Sequence, residues 1–105
     1  MAQVINSIEF RNLVEGAEGV AVVVFFATWC GPCKMLAPVF QEVGNELDGK
    51  AQFYKVDIDQ SLDIARQFNV STVPTIIVFK NGEPIERLVG FMPKENLLAK
   101  IKEYI

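Results

Sequence analysis

The sequence predicts a single α/β domain over residues 1–105. The hydrophobic pattern switches between strand and helix periods several times. The length suits one domain, which at this size buries roughly two-thirds of the surface its unfolded chain exposes. Half of the residues are apolar, so a packed core can form without metals or cross-links. No repeat, low-complexity stretch or linker interrupts the chain.

Val4-Ile5 reads as a short first strand. Asn6 and Glu9 have capping-box spacing and open a helix to about Glu15, with Ile8, Leu13 and Val14 as its expected buried side. Gly16 and Gly19 end it. Val20 to Phe26 is a continuous, β-branched apolar run, as expected of a central strand covered on both faces. Thr28 to Pro32 forms a turn, and a long helix follows to about Leu47, with Pro38 expected to kink it and Gly49 to close it. Ala51 to Ile58 is the next strand, with Phe53, Val56 and Ile58 as expected core. Ser61 to Phe68 is a short helix capped by Asp59 or Ser61. Thr75 to Phe79 is another apolar strand, and Asn81-Gly82 signals a hairpin of open loop length to a partner strand Ile85 to Val89. Pro84 suits an edge. Pro93 starts the last helix, on which Leu97, Leu98, Ile101, Tyr104 and Ile105 fall at the spacing of one buried face.

Composition removes several function classes. The 13 acidic and 10 basic residues give a net charge of -3, with no basic stripe, which argues against a nucleic-acid partner. The chain has no histidine, so His-ligated zinc hydrolysis and Ser-His-Asp chemistry are excluded. No nucleotide or metal motif is present, so no cofactor is expected. The N-terminal segment lacks the pattern of a signal peptide, and the longest apolar run, Val20 to Ala27, is too short to span a bilayer. A cytoplasmic protein without membrane attachment is expected, in a compartment that keeps thiols mostly reduced.

Both cysteines lie in Cys30-Gly31-Pro32-Cys33. A structural disulfide across so short a loop would constrain the unfolded chain little. A tetrahedral zinc site needs about four Cys or His ligands, and one molecule offers two. A redox pair is the remaining reading. The motif follows a buried strand and opens a helix, which puts Cys30 at a helix N-terminus, where free N–H groups and the macrodipole favour a thiolate. Cys30 is therefore expected to attack. Cys33, a turn further in and closer to the core, is expected to keep a higher pKa and to resolve the mixed disulfide. Pro32 suits a first helical turn, Gly31 keeps the approach to Cys30 open, and Lys34 adds a nearby positive charge.

Trp29-Cys30-Gly31-Pro32-Cys33-Lys34 resembles the active-site segment of the thioredoxin family. The likeness covers nearly the whole chain, through Phe25, Ala27, Pro38, Lys55, Asp57-Ile58-Asp59, Val73-Pro74-Thr75, Phe79-Lys80-Asn81-Gly82 and Val89-Gly90. The resemblance implies a thioredoxin fold, a central mixed sheet flanked by helices on both faces. It also implies a cis peptide before Pro74, lying against a redox-active Cys30–Cys33 disulfide. It further implies a substrate groove in which Trp29, Gly31, Pro32, Val73, Pro74, Gly90 and Phe91 border Cys30. The Val73 backbone would pair there with an extended substrate segment. Trp29 is expected at the surface; for Phe91, core packing and groove lining both stay open. Gly-Pro between the cysteines matches the reducing members of the superfamily. The implied reaction reduces protein disulfides. A thioredoxin reductase using NADPH, or a ferredoxin-linked equivalent, supplies the electrons, and a monomer is expected.

One departure stands out. Val24 occupies the position of the family's buried aspartate, and Phe26 that of the neighbouring tryptophan, while the lysine partner survives as Lys55. The resemblance assigns that aspartate the role of proton acceptor for the second cysteine, and Val24 cannot take it. Lys55 is left to pair with Asp57 or Asp59 on its own strand or, as the favoured expectation, to reach solvent. Two other functions compete with general reduction: a dedicated electron donor to one client enzyme, and a redox-switched binding module that grips a partner through the Trp29–Pro74 groove.

Overall fold

The computed structural model describes residues 2–105. Nine elements alternate along the chain: β1 (Gln3–Val4), α1 (Ser7–Phe10, running into a π turn over Arg11–Glu15), β2 (Val20–Phe26), α2 (Gly31–Glu46), β3 (Gln52–Asp57), α3 (Leu62–Gln67), β4 (Thr75–Lys80), β5 (Glu83–Val89) and α4 (Lys94–Lys102). The five strands form one sheet in the order β1-β3-β2-β4-β5. β1, β3 and β2 run parallel, whereas β4 is antiparallel to both β2 and β5. This is the mixed sheet of the thioredoxin fold.

β2 explains the layering. All of its residues except Phe26 are buried, and alternate side chains leave opposite faces. Val20, Val22 and Val24 pack with Leu36, Phe40 and Val43 of α2 and with Leu97 and Ile101 of α4. Ala21, Val23 and Phe25 pack on the other face with Phe10, Val14, Ile64 and Ala65 of the first and third helices. Helix α2 buries Cys33, Leu36, Phe40 and Val43 at helical spacing and continues through the exposed Pro38 without a break.

The capping box at α1 forms as expected: the Glu9 N–H donates to the Asn6 side chain at 2.8 Å, and the Asn6 N–H to the Glu9 carboxylate at 3.0 Å. The face that α1 buries agrees with the expected one only at Val14. Ile8 is 68% exposed and Leu13 faces solvent, while Phe10 and Val14 enter the core. The chain widens into a π turn after Phe10, which changes the angular step between residues, so a constant helical period misassigns the face. β1 ends at Val4, and Ile5 is a buried residue beyond it whose N–H still donates to the Lys55 carbonyl at 2.9 Å. Ile58 lies just past β3 and is half-buried.

The hairpin has a two-residue loop. Lys80 pairs with Glu83, and Asn81 and Gly82 both have positive φ, 51° and 83°; hence β5 starts at Glu83 and includes Pro84, on the sheet edge. A Cβ on Gly82 would lie 2.4 Å from the Glu15 carbonyl oxygen, so glycine there serves close packing as well as the turn. Neither expected side-chain cap of α3 forms: Ser61 is the N-cap residue without a side-chain cap bond, and Asp59 is engaged elsewhere. Pro93 is the N-cap residue of α4, one position before the helix. On that helix Leu97 and Ile101 are buried and Leu98 half-buried; two residues past its end Tyr104 is half-buried, but Ile105, three residues beyond the last helical residue, is 44% exposed.

Candidate active site

The half-buried end of β2 at Phe26 delivers the chain to a short turn, Ala27 to Trp29, from which α2 departs. Cys30 is the N-cap residue of α2, in extended conformation with φ -90° and ψ 115°. Its sulfur accepts the Cys33 N–H at 3.2 Å, in place of the oxygen that usually satisfies an N-terminal donor. Gly31 and Pro32 occupy the first turn, where the missing proline N–H costs no hydrogen bond. A Cβ on Gly31 would meet nothing within 4 Å, so the space over Cys30 is open on that side.

Cys30 and Cys33 form a disulfide with a Cα–Cα distance of 5.3 Å. Exposure does not separate the two sulfurs in the way the sequence suggests, because Cys30 is 5% and Cys33 7% exposed. Their surroundings differ instead. Cys30 Sγ lies 3.6 Å from the Val73 carbonyl oxygen. Cys33 borders a pocket shared with Val24, Phe40 and Lys55 and open to the surface at Thr28 and Lys34. Ala27, Phe26, Ile58 and Val73 pack around the pair.

The Val73-Pro74 peptide is cis, as the resemblance implies. Val73 is half-buried and Pro74 buried, and the Gly90 N–H donates to the Pro74 carbonyl at 2.8 Å, tying the end of β5 to this loop. Gly90 has φ 92°, a left-handed conformation suited to glycine. Trp29 is 67% exposed and Phe91 42% exposed, which places both rings at the surface. The Trp29 indole N–H donates to the Asp59 carboxylate at 2.9 Å. The Asp59 N–H in turn donates to the buried Asp57 carboxylate, also at 2.9 Å. This Trp29–Asp59–Asp57 chain was not legible in the sequence, where Asp59 reads as a candidate helix cap or a partner of Lys55.

Val24 is buried and lies opposite Lys55 in the β2–β3 register. Lys55 forms no ion pair with Asp57 or Asp59 among the described residues. Its Nζ lies 5.5 Å from the centroid of the Phe26 ring, a cation–π distance. The aromatic residue that replaces tryptophan therefore supplies the surface on which this ammonium rests.

The thioredoxin family model matches residues 1–103. The chain belongs to the thioredoxin family. Thioredoxin of Staphylococcus saprophyticus is 52% identical over 87 residues, 83% of this chain and 84% of that relative. Thioredoxin of Staphylococcus aureus (strain Mu50) is 44% identical over 101 residues, 96% of this chain and 95% of the relative. In three dimensions the chain is similar to the crystal structure of Malassezia sympodialis thioredoxin (Mala s 13). The TM-score is 0.90 at 40% identity, covering 99% of this chain and 90% of that one. With Cys30 and Cys33 bonded across the first turn of α2, this thioredoxin-family chain is a thiol–disulfide oxidoreductase acting on protein disulfides.

Proposed function

We propose that the chain reduces protein disulfides, with Cys30 as the attacking and Cys33 as the resolving sulfur. The observation that carries this reading is the position of Cys30 Sγ, which caps α2 by accepting the Cys33 N–H at 3.2 Å. The same N–H and the helix dipole stabilise a thiolate once the disulfide is reduced. In the first step that thiolate attacks one sulfur of the substrate disulfide. Its S–S bond breaks, and the departing thiolate takes up a proton. In the second step Cys33 loses its proton and attacks Cys30 Sγ. The second substrate thiol leaves, and two electrons have passed to the substrate. The product is the Cys30–Cys33 disulfide.

The groove formed by Trp29, Gly31, Pro32, Val73, Pro74, Gly90 and Phe91 receives the substrate in this proposal. The exposed rings of Trp29 and Phe91 supply apolar contact, and the Val73 backbone beside Cys30 supplies strand-like pairing that suits many sequences. Lys55, held over Phe26, supports the site with a positive charge behind Cys33. A disulfide reductase recharges the pair, and family membership supports thioredoxin reductase in that role. The protein acts as a monomeric single domain in the cytoplasm, where a reducing environment suits this direction of electron flow. Among the described residues, no helix is long and apolar enough to cross a membrane.

Insulin reduction driven by dithiothreitol tests the assignment. Cys30→Ser is expected to abolish turnover. Cys33→Ser is expected to abolish turnover and to accumulate a mixed disulfide on Cys30, whose partners in cell extract identify the clients. Undiminished turnover in either variant would refute the assigned roles.

A further inference from the structure

Behind the Cys30–Cys33 bridge lies a cavity of about 250 Å³. Val24, Leu36 and Phe40 make its wall apolar, and Cys33 completes it on the side of the disulfide. Its charged lining consists of Lys34 and Lys55, with no acidic residue. Neither lysine takes part in an ion pair among the described residues. The Lys55 ammonium, 5.5 Å from the centroid of the lining Phe26 ring and paired with no carboxylate, attracts an anion, and the exposed Lys34 adds positive charge at the rim. The apolar wall penalises a strongly hydrated ion, because a dianion would lose more hydration there than the lysines return. A singly charged group on an apolar body satisfies both halves of the cavity.

We propose that this cavity is a binding site for a small monocarboxylate with an apolar body, its carboxylate toward Lys55, and that it prefers the dithiol form of the protein to the disulfide. The redox preference follows from Cys33. As a thiol it has an S–H to donate to an oxygen acceptor in the cavity, and as a disulfide it has none. A ligand that binds the dithiol more tightly shifts the redox equilibrium toward it, at saturation by the ratio of the two dissociation constants. The proposal rests only on Cys30 and Cys33 being the redox pair and is independent of which sulfur attacks.

Sodium butyrate is the probe. It is titrated into the oxidised and the reduced protein while the amide signals of Val24, Ala37 and Phe40 are followed by NMR, with sodium chloride at matched ionic strength as the control. The expected result is saturable shifts with butyrate alone, at least about threefold tighter in the dithiol form. Lys55→Met is expected to weaken binding by about tenfold or more through loss of a charge-assisted contact. Ala37→Leu, at a half-buried lining position on α2, fills the cavity without touching its charges and is expected to weaken binding similarly. Shifts that fail to saturate, or that chloride reproduces, would overturn the site, as would affinity indifferent to both substitutions. Equal affinity for the two redox forms would overturn the redox preference.

Discussion

Val24 stands where the family resemblance implies a buried aspartate. It is buried beside the cavity that Cys33 borders, and its register partner is Lys55. A valine can neither take nor give a proton, so in the proposed reaction Cys33 passes its proton to water, to the departing substrate thiolate or to another nearby group. Val24→Asp is therefore expected to speed resolution of the mixed disulfide near neutral pH, measured by single-turnover kinetics. The same substitution places an ionisable group in a largely apolar site, and is expected to lower the unfolding free energy by about 1–3 kcal/mol. No gain in rate at any pH would show that proton removal from Cys33 is not limiting. An unchanged or raised denaturant midpoint would refute the desolvation argument. At this level the chemistry was legible in advance, because two cysteines with two residues between them, after a buried strand and before a helix, leave few other uses. Lys55 was only half legible: the sequence left pairing with Asp57 or Asp59 open beside the favoured absence of such a pair, and its place over Phe26 depends on side chains of adjacent strands that no local pattern relates.

Among the elements, α4 shows how an edge is secured. Its C-terminal Tyr104 donates its hydroxyl to the Glu86 carboxylate of β5 at 2.6 Å, and Lys100 Nζ lies 3.8 Å from the same carboxylate. The hydrogen bond to Glu86 pushes the Tyr104 phenol up to about 12. That bond, followed by the Lys100 charge, holds the Glu86 carboxyl below its ordinary value. The signs are opposite in pH. Because the phenol pKa is raised on folding, its contribution is complete below the ordinary tyrosine pKa and is lost as pH rises through about 12. Because the carboxyl pKa is lowered, its contribution is present above the ordinary glutamate pKa and is lost as pH falls through the lowered one. Tyr104→Phe is expected to move Glu86 back toward its ordinary titration, seen by carboxyl NMR, and to lower stability at neutral pH by a margin that closes in acid. A Glu86 titration that does not move would assign its shift to Lys100 alone. Element boundaries were legible wherever a local device sets them, as the Asn6–Glu9 capping box and the Asn81-Gly82 turn do. The buried face of α1 was not legible, because the π turn changes the angular step between residues, nor was the end of α4 short of Ile105, because the spacing of a helical face does not say where the helix stops.

The molecule as a whole is one sheet with a separate apolar layer on each face, and only one layer contains the cavity behind the disulfide. Alternation along β2 made the two-sided burial readable. Family resemblance implied only a mixed sheet; the strand order β1-β3-β2-β4-β5 was not legible, since strand pairing over long sequence separations leaves no local signature. Phe10 and Phe40 represent the two layers. Phe10, fully buried, meets Phe68 and Phe79 with ring centroids 5.6 Å away in each case. Phe40 meets Phe53 at 5.3 Å and also lines the cavity that Cys33 borders. Phe10→Leu and Phe40→Leu each remove part of a buried ring and are expected to cost about 1–2 kcal/mol. Because the two rings share no partner and lie on opposite faces of the sheet, the costs should add in the double variant to within about 0.5 kcal/mol. Their chemical effects should differ. Phe40→Leu reshapes the space beside Cys33 and is expected to change the rate at which the mixed disulfide is resolved, whereas Phe10→Leu, measured well below its unfolding midpoint, should leave that rate unchanged. Equal rate changes in the two variants would mean that the site senses the stability of the whole sheet rather than the packing of the α2 face.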